Sequence, residues 1–353
     1  MERDYWLAFS SFPGVGPVKF QKLLKEFKAA KKAWNSNRIE KVLGPKLAGK
    51  LTEFKKNYSV ELYAKELQKR KVQFLTLNDK NYPKLLAQIP NPPFVLYIVG
   101  KVDFDLPSIG IVGTRKITNY GREVTELFTS ELSMAGFTIV SGLALGVDAQ
   151  AHRSAIESKG KTIAVLGCGV DCVTPLENET LYNSIVKGYG AVVSEYPLGH
   201  PPTMGSFLSR DRIIAGLSQG ILVTEGAEDS GALITADYAF KFKRPVFAVP
   251  GPITSTLSKG PFKLISKGAK LVTSSQDILE ELKIKSPKLK VQNKINKGTK
   301  EELIILSLLE NESLHFDEIV RQSKINSSKL GSILSLMEVK GLVKSLDGGY
   351  FSS

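Results

Sequence analysis

Short apolar runs alternate with longer amphipathic segments between residues 107 and 282. Six runs are rich in Val, Ile and Leu and have the length of buried strands: Ser108–Val112, Phe137–Val140, Thr162–Leu166, Ala191–Ser194, Gly220–Thr224 and Pro245–Val249. Four segments between them have helical length and spacing: Arg122–Ala135, Val147–Ser158, Phe207–Leu217 and Ala232–Phe242. Such alternation is typical of βαβ units on a sheet that is covered on both faces. The pattern predicts an α/β fold with a Rossmann-like, doubly wound and mostly parallel sheet.

Different patterns flank this central segment. Residues 2–70 lack β-rich runs and have helical spacing, as at Leu23, Leu24 and Phe27. The tail predicts three helices, followed by a hairpin that turns at Asp347-Gly348-Gly349. The helices of the tail are Glu301–Leu309, His315–Gln322 and Ser327–Lys340. Three helices and a hairpin indicate a winged helix-turn-helix.

These boundaries predict four segments along the chain. Residues 283–299 carry no acid and include Pro287 and Gly298, so self-repulsion is expected to keep them extended. The predicted segments are a helical helix-hairpin-helix-like domain at 1–70, a Rossmann-like domain at 71–282, a basic linker at 283–299 and a winged helix-turn-helix domain at 300–353.

The net charge favours a polyanionic partner. The 353 residues include 48 Lys and Arg against 35 Asp and Glu, a net charge of +13. Residues 1–105 carry +10 and the linker +6, whereas residues 106–282 and the tail are slightly acidic. A basic excess of this size indicates nucleic acid as a partner, and the alternative is a set of solvated lysines without a ligand.

The remaining composition bears on the compartment. Only Cys168 and Cys172 are present, too few to stabilise a chain of this length by disulfides. No apolar run approaches the roughly 18 residues that cross a bilayer, and the N-terminus lacks the pattern of a secretory signal. We therefore expect a cytoplasmic protein.

The strongest local motif follows the first apolar run, at Gly113-Thr-Arg115-Lys116. A strand that leads through a glycine-containing loop to a helix start presents free N–H groups to an anion. Arg115 and Lys116 add full positive charges, and an arginine can bind a phosphate through two parallel hydrogen bonds. The motif predicts a phosphate-binding loop, and the alternative is a tight turn with solvated basic residues.

Further loops are expected at the same edge of the sheet, because the carboxyl ends of parallel strands lie together. Ser141-Gly142 follows the second run, and Asp148 is expected to cap the next helix and order this loop. Arg210, Arg212 and Ser230 lie at the starts of later helices. Together with Arg115 and Ser141, they predict one groove that binds several phosphates of a single strand.

Enzymatic signatures are weak. The loop is not G-x-G-x-x-G and no P-loop motif occurs, which disfavours dinucleotide binding and an NTPase. The histidines are scattered, and Cys168 and Cys172 have no second pair of ligands for zinc. Glu225, Glu228 and Asp229 suit either a nuclease metal or the cap of the following helix. We expect no catalytic residue, no cofactor and no metal, and therefore not an enzyme.

Of the two flanking segments, the N-terminal one suggests nucleic acid more than the tail does. Phe12-Pro-Gly14-Val-Gly16 resembles the hairpin of a helix-hairpin-helix element, whose backbone amides bind phosphates, and the alternative is a plain turn between helices. The tail is acidic overall, and its third helix carries few cations, Lys329 and Lys340 against Glu338. We expect the tail to contact protein or to regulate, with DNA binding as the rival.

An ordered series of motifs across nearly the whole chain resembles the DNA-processing protein A (DprA/Smf) family. The series comprises Asn81-Tyr-Pro83, Gly113-Thr-Arg115-Lys116, Ser141-Gly-Leu-Ala-x-Gly-x-Asp148, Ser194-Glu-Tyr-Pro197, Arg210-x-Arg212, Ser230-Gly-Ala-Leu-Ile-Thr-Ala236 and Val246-Phe-Ala-Val-Pro-Gly251. The resemblance implies a Rossmann-like core that binds single-stranded DNA cooperatively as a homodimer. It also implies loading of a RecA-type recombinase onto that DNA during natural transformation.

The resemblance and the loop pattern together define the candidate DNA contacts: Gly113, Arg115, Lys116, Ser141, Gly142, Phe207, Arg210, Arg212 and Ser230. Phe207 is expected either to stack on a base or to lie in the core. The chain departs from the family pattern at Leu145, usually basic, at Ser206 and Asp211, usually Asn, and at Gly260-Pro261-Phe262, commonly Gly-Thr-Asn. A lost cation and an added acid are expected to weaken phosphate binding.

The rival hypothesis is a nucleotide-binding or nucleotide-hydrolysing enzyme on a related Rossmann-like sheet. Cytokinin-activating phosphoribohydrolases have a similar loop architecture and carry Pro-Gly-Gly-x-Gly-Thr-x-x-Glu after a late strand. The corresponding stretch here, from Glu225 to Leu233, lacks that motif.

Overall fold

The computed structural model describes residues 1–284, 299–309, 312–339, 342–346 and 348–352. Nearly all of the predicted basic linker lies outside these residues, as do Lys340 of the predicted third tail helix and Asp347 of the predicted turn. The chain divides into two compact units, residues 1–285 and 286–353.

The described residues of the first unit form fourteen α-helices and nine strands, together with short 3₁₀ turns at Leu176–Asn178 and Thr256–Ser258 and a π turn at Ile185–Tyr189. Its helices are α1 Glu2–Ser11, α2 Pro17–Phe27, α3 Ala30–Asn35, α4 Glu40–Leu43, α5 Pro45–Asn57, α6 Val60–Lys69, α7 Lys84–Ala87, α8 Asn119–Met134, α9 Val147–Glu157, α10 Glu179–Ser184, α11 Met204–Leu217, α12 Ala232–Lys241, α13 Lys259–Ser266 and α14 Ser275–Glu281. Its strands are β1 Gln73–Thr76, β2 Val95–Gly100, β3 Ser108–Val112, β4 Thr138–Ser141, β5 Lys161–Val165, β6 Gly190–Ser194, β7 Ile221–Val223, β8 Val246–Ala248 and β9 Lys270–Leu271.

The nine strands form one sheet in the order β1-β2-β6-β5-β4-β3-β7-β8-β9. Strands β3 to β9 pair in parallel, and β1 and β2 are joined antiparallel at one end. The chain moves outward from β3 to β4, β5 and β6, and then returns to place β7 on the other side of β3. This reversal confirms the predicted doubly wound, mostly parallel sheet and places its topological switch point between β3 and β7.

The central strands are buried on both faces, which is why their sequences are continuous apolar runs. Every residue of β3, β4 and β6 is buried, and the same holds for β7 and β8. The six strands and four helices predicted between residues 107 and 282 are all present, with ends shifted by up to three residues.

The first six helices pack on the antiparallel end of the sheet. Their core is aromatic: the rings of Phe9 and Trp34 meet edge to face at 5.0 Å, and Phe20 stacks on Phe94 at 4.0 Å. Tyr97 of β2 lies in the same core, where its hydroxyl group shares a hydrogen bond of 2.6 Å with Ser10. Residues 1–70 therefore lie in one compact unit with the sheet, and their standing as a separate domain stays a prediction.

The second unit is a winged helix, as the tail pattern predicts. Its helices are α15 Lys300–Leu308, α16 Phe316–Ser323 and α17 Ser327–Val339, and its strands are β10 Leu314–His315, β11 Lys344–Leu346 and β12 Tyr350–Ser352. The strands form an antiparallel sheet in the order β10-β12-β11. Ile305, Ile319, Leu330 and Met337 are fully buried in its core.

Candidate nucleic-acid interface

A cleft of about 640 Å³ opens at the carboxyl end of β3, beside the switch point. We call it the switch-point cleft. Its walls are the loops after β3 and β4, the start of α9, the segment after β5, the segment before α11, one face of α11 and the start of α12. The cleft is lined by Val112, Gly113, Arg115, Ala144, Asp148, Thr174, Pro202, Thr203, Met204, Phe207, Leu208, Arg210, Asp211, Ile214, Ser230, Gly231, Ala232 and Thr235. Ligands of open α/β sheets bind in such crevices.

The loop after β3 is fixed to the loop after β7. The Thr114 N–H donates to the Glu225 carbonyl oxygen at 2.8 Å, and the Val147 N–H donates to the Thr114 carbonyl oxygen at 3.1 Å. A Cβ atom at Gly113 would lie 2.6 Å from the Glu225 carbonyl oxygen. Gly113 therefore leaves room for the loop after β7.

The Glu225 carboxylate holds the start of α8. It is buried and accepts hydrogen bonds from the Thr118 N–H at 3.0 Å and from the Thr118 hydroxyl group at 2.6 Å. Thr118 Oγ1 in turn accepts from the Gly121 N–H, capping α8. Neither sequence interpretation of Glu225, as a metal ligand or as the cap of α12, predicted this role. Glu228 instead pairs with Lys263 at 3.3 Å.

Arg115 is the exposed cation of the switch-point cleft. Its guanidinium carbon lies 5.9 Å from the centroid of the Phe207 ring, and Phe207 is half-buried on the cleft wall. An arginine above an aromatic ring combines a phosphate donor with a stacking surface. Lys116 is exposed but lies outside the cleft lining, and its N–H donates to Thr114 Oγ1 at 3.1 Å.

Arg210 lies deep in the same cleft between two carboxylates. The residue is 5% exposed; its Nη1 lies 3.6 Å from Asp148 Oδ2, and its Nε lies 3.2 Å from Asp211 Oδ1. Gly142 leaves room for this side chain, because a Cβ atom there would lie 1.0 Å from Arg210 Nη1. The charge of Arg210 is therefore largely offset within the protein.

Burial raises the pKa values of both carboxylates that face Arg210. The pKa of Asp211 rises to about 6, because burial outweighs the attraction of Arg210. Burial also raises the pKa of Asp148, while Arg210 and the N–H groups of Ala144 and Gly142 oppose the rise. The Asp148 carboxylate accepts from those N–H groups at 3.5 and 3.1 Å, so it orders the loop after β4 as predicted. It does not cap α9, because the N-cap residue is Gly146.

Four predicted contacts lie outside the switch-point cleft, and the side chains of two of them, Arg212 and Ser141, are engaged within the fold. The Arg212 side chain donates to the Asn91 carbonyl oxygen at 2.7 Å and forms an ion pair with the buried Glu195. Burial raises the pKa of Glu195, and Arg212 opposes that rise. The Ser141 hydroxyl group is fully buried and donates to the Ile111 carbonyl oxygen at 2.7 Å, tying β4 to β3. Neither side chain lines the switch-point cleft, because each is engaged within the fold, and their contact with DNA stays a prediction.

The cleft brings together five of the nine predicted contacts: Gly113, Arg115, Phe207, Arg210 and Ser230. The sequence reasoning missed the apolar residues of the cleft lining, Met204 and Leu208, which are 84% and 43% exposed. The sequence signal that could have identified them was their spacing from Phe207, because Met204, Phe207 and Leu208 lie on one helix face. Apolar residues held at the cleft suit flat, weakly polar groups such as nucleobases.

The histidine and cysteine of the first unit's core have structural positions. His152 is fully buried, its Nδ1 lies 2.6 Å from Thr162 Oγ1, and burial lowers its pKa to about 3. The Cys168 thiol donates to the Cys172 carbonyl oxygen at 3.0 Å. Within the described ranges, no group of three or more His, Cys, Asp or Glu residues is placed to hold a metal ion. No helix among the described residues has the length and apolar character to cross a membrane.

Comparisons with known proteins agree on one family. The model of DNA recombination-mediator protein A matches residues 73–283, and that of the DprA winged helix domain matches residues 293–349. Protein Smf from Synechocystis is 42% identical over 290 residues, covering 80% of this chain and 73% of its own length. The DNA processing protein DprA of Bacillus subtilis is 43% identical over 215 residues, covering 60% of this chain and 71% of its own length.

Solved structures of DNA processing protein A from two other bacteria are similar to this structure. DNA processing protein A from Streptococcus pneumoniae aligns with a TM-score of 0.70 and 34% identity, covering 79% of this chain and 97% of its own length. DNA processing protein A from Helicobacter pylori aligns with a TM-score of 0.54 and 31% identity, covering 60% and 95%. The latter was described for its single-stranded DNA binding mode.

Proposed function

Because this chain belongs to the DNA recombination-mediator protein A family, we propose that it binds single-stranded DNA in the switch-point cleft. The described binding mode of the Helicobacter pylori relative supports this proposal. The local observation that carries it is the pairing of exposed Arg115 with the half-buried ring of Phe207. A single strand offers an unpaired base and a phosphate within one nucleotide, and this pair of side chains suits both.

The binding is proposed to be independent of sequence. Arg115 attracts any phosphate, and the Phe207 ring stacks on the π-face that every base has. Arg210 and Asp211, the charged pair deeper in the cleft, are engaged with each other. The pair therefore contributes little positive charge to the strand.

The resemblance in sequence supports further proposals about the protein at work. We propose that it acts as a homodimer in the cytoplasm and loads a RecA-type recombinase onto the bound strand in natural transformation and recombination. The description of the matching family as a recombination mediator supports the recombinase step. We also propose that it acts without catalysing a reaction, since Asp148, Glu225 and His152 hold neighbouring structure.

The test of the cleft compares two arginine variants of the full chain. Arg115→Ala is expected to weaken binding of oligothymidine by roughly tenfold, because it removes a charge-assisted contact. It should also reduce the salt slope by about one phosphate. Binding is measured by fluorescence anisotropy across salt concentrations.

Arg153→Ala is the matched control, because Arg153 is an exposed arginine outside the cleft lining. Phe207→Ala should cost about 1–3 kcal/mol of binding free energy with little change in salt slope. Affinities of Arg115→Ala and Phe207→Ala equal to that of Arg153→Ala would remove the proposed site.

A second prediction concerns the winged helix. Because every residue of the cleft lining lies between Val112 and Thr235, truncation after Ile284 is expected to change the affinity for oligothymidine by less than about threefold. The measurement is the same anisotropy titration, made with the full and truncated chains. A collapse of affinity on truncation would instead make the tail the main DNA-binding module.

A further inference from the structure

The basic excess of the chain is concentrated in a short part of the N-terminal helices. Residues 17–56 contain twelve Lys and Arg residues and only three Glu. They form α2, α3, α4 and α5. The matching family model begins at residue 73, so these helices lie outside it. We call the exposed Lys and Arg side chains of residues 17–56 the N-terminal basic surface.

These cations are available to a ligand. Eleven of the twelve are exposed, and the exception is Lys55, which donates to the Trp34 carbonyl oxygen. Within the described part of the chain, Lys56 alone among them forms an ion pair, with Glu53 at 2.8 Å. So many like charges without partners repel each other, and a polyanion relieves that repulsion.

The chain supplies these helices with two similar first turns. Both α2 and α5 begin with proline after a glycine N-cap that has no side-chain cap, at Gly16-Pro17 and Gly44-Pro45. A lysine follows each glycine by six residues, at Lys22 and Lys50. The two turns are close, because a Cβ atom at Gly14 would lie 3.0 Å from the Leu47 side chain.

The surface suits a double helix better than a single strand. All ten aromatic side chains of residues 1–72 are buried or half-buried, so no exposed ring is present for an unpaired base to stack on. The phosphates of a duplex require only cations and backbone donors. Val18 is the one exposed large apolar residue of residues 17–56, which argues against insertion into a membrane.

We propose that the N-terminal basic surface binds the phosphate backbone of double-stranded DNA. This site uses residues and chemistry different from those of the switch-point cleft, and so it stands independently of the proposed single-strand function. The protein would then hold paired and unpaired DNA on two surfaces of one compact unit.

The experiment uses the full chain with two double variants of equal charge change. Lys22→Glu/Lys50→Glu reverses two charges of the N-terminal basic surface, and Lys159→Glu/Lys187→Glu reverses two exposed lysines elsewhere. The probes are a duplex of about 20 base pairs, oligothymidine of about the same length and phosphatidylglycerol vesicles. Circular dichroism checks the fold, and Lys22→Gln/Lys50→Gln is a milder variant should charge reversal perturb it.

We expect Lys22→Glu/Lys50→Glu to weaken duplex binding roughly tenfold or more at about 100 mM salt and to lower the salt slope by about two. Binding of oligothymidine should stay within about twofold, as should duplex binding by the control variant. The proposal is overturned if duplex binding falls no more than in the control, or if both DNA forms lose affinity equally. Loss of vesicle binding with duplex binding intact would also overturn it. Duplex binding by Arg115→Ala should be normal, so failure of either site is recognised separately.

Discussion

Replacing Asp211 with asparagine is expected to stabilise the protein by about 2–3 kcal/mol near pH 7.5. Asp211 is buried against Arg210 and Asp148, and its folded-state pKa of about 6 lies above the ordinary value of 3.8. The folded protein therefore binds this proton more tightly than the unfolded chain, and ionisation of Asp211 costs stability as the pH rises through this interval. Asparagine has nearly the same shape without the charge.

The pH dependence separates this cause from a general effect on packing. The stability gained by Asp211→Asn should develop between about pH 4 and pH 6, be full above about pH 7, and vanish below about pH 3, where the carboxyl group is neutral in both states. Urea unfolding at several pH values measures it. Asp237→Asn is the control, because Asp237 is an exposed partner of Lys267 on α12. A gain that is equal at acidic and neutral pH would contradict the explanation.

The second large effect is expected from Arg210→Ala, which should destabilise the protein by about 3–5 kcal/mol at neutral pH. The variant leaves Asp148 and Asp211 buried without their shared cation. Their pKa values should rise further, so the loss should become smaller as the pH falls and the carboxylates take up protons. Single-strand binding should fall as well, through disorder of the cleft wall.

Two comparisons sharpen the Arg210 experiment. Arg153→Ala, which removes an exposed arginine, should change the free energy of unfolding by no more than about 0.5 kcal/mol. Arg210→Ala/Asp211→Asn leaves one buried carboxylate instead of two and should recover part of the lost stability. Equal unfolding free energies for Arg210→Ala and the wild type would show that the triad contributes no net stabilisation.

The fold was predictable because the central strands are buried on both faces. Their sequences are therefore continuous apolar runs, which indicate parallel strands; alternating apolar and polar residues would have left the strand pairing undecided. The switch point follows from the order of the strands in the sheet. Helix starts were less predictable. The start of α11 at Met204 depends on a capping box between Thr203 and Ser206, whereas the predicted helix begins at Phe207. Polar capping residues determine where a helix begins, and apolar periodicity does not detect them.

The candidate site was predictable only for residues whose positions depend on their neighbours in the sequence. Arg115 lies in the loop that follows β3, so it has to lie at the carboxyl edge of the sheet. Arg210 and Arg212 are two residues apart on α11, so they point about 200° apart around the helix. Arg212 consequently reaches Glu195 and Asn91, and no local pattern identifies partners so far away in the sequence.

The tie between Glu225 and Thr118 joins two segments that are more than a hundred residues apart in the chain. These hydrogen bonds fix the loops after β3 and β7, on both sides of the switch point, before a ligand binds. Most of the conformational entropy lost on binding is then lost by the ligand, because the walls of the cleft are already ordered. The affinity of the switch-point cleft should therefore depend more on the flexibility of the ligand than on that of the protein.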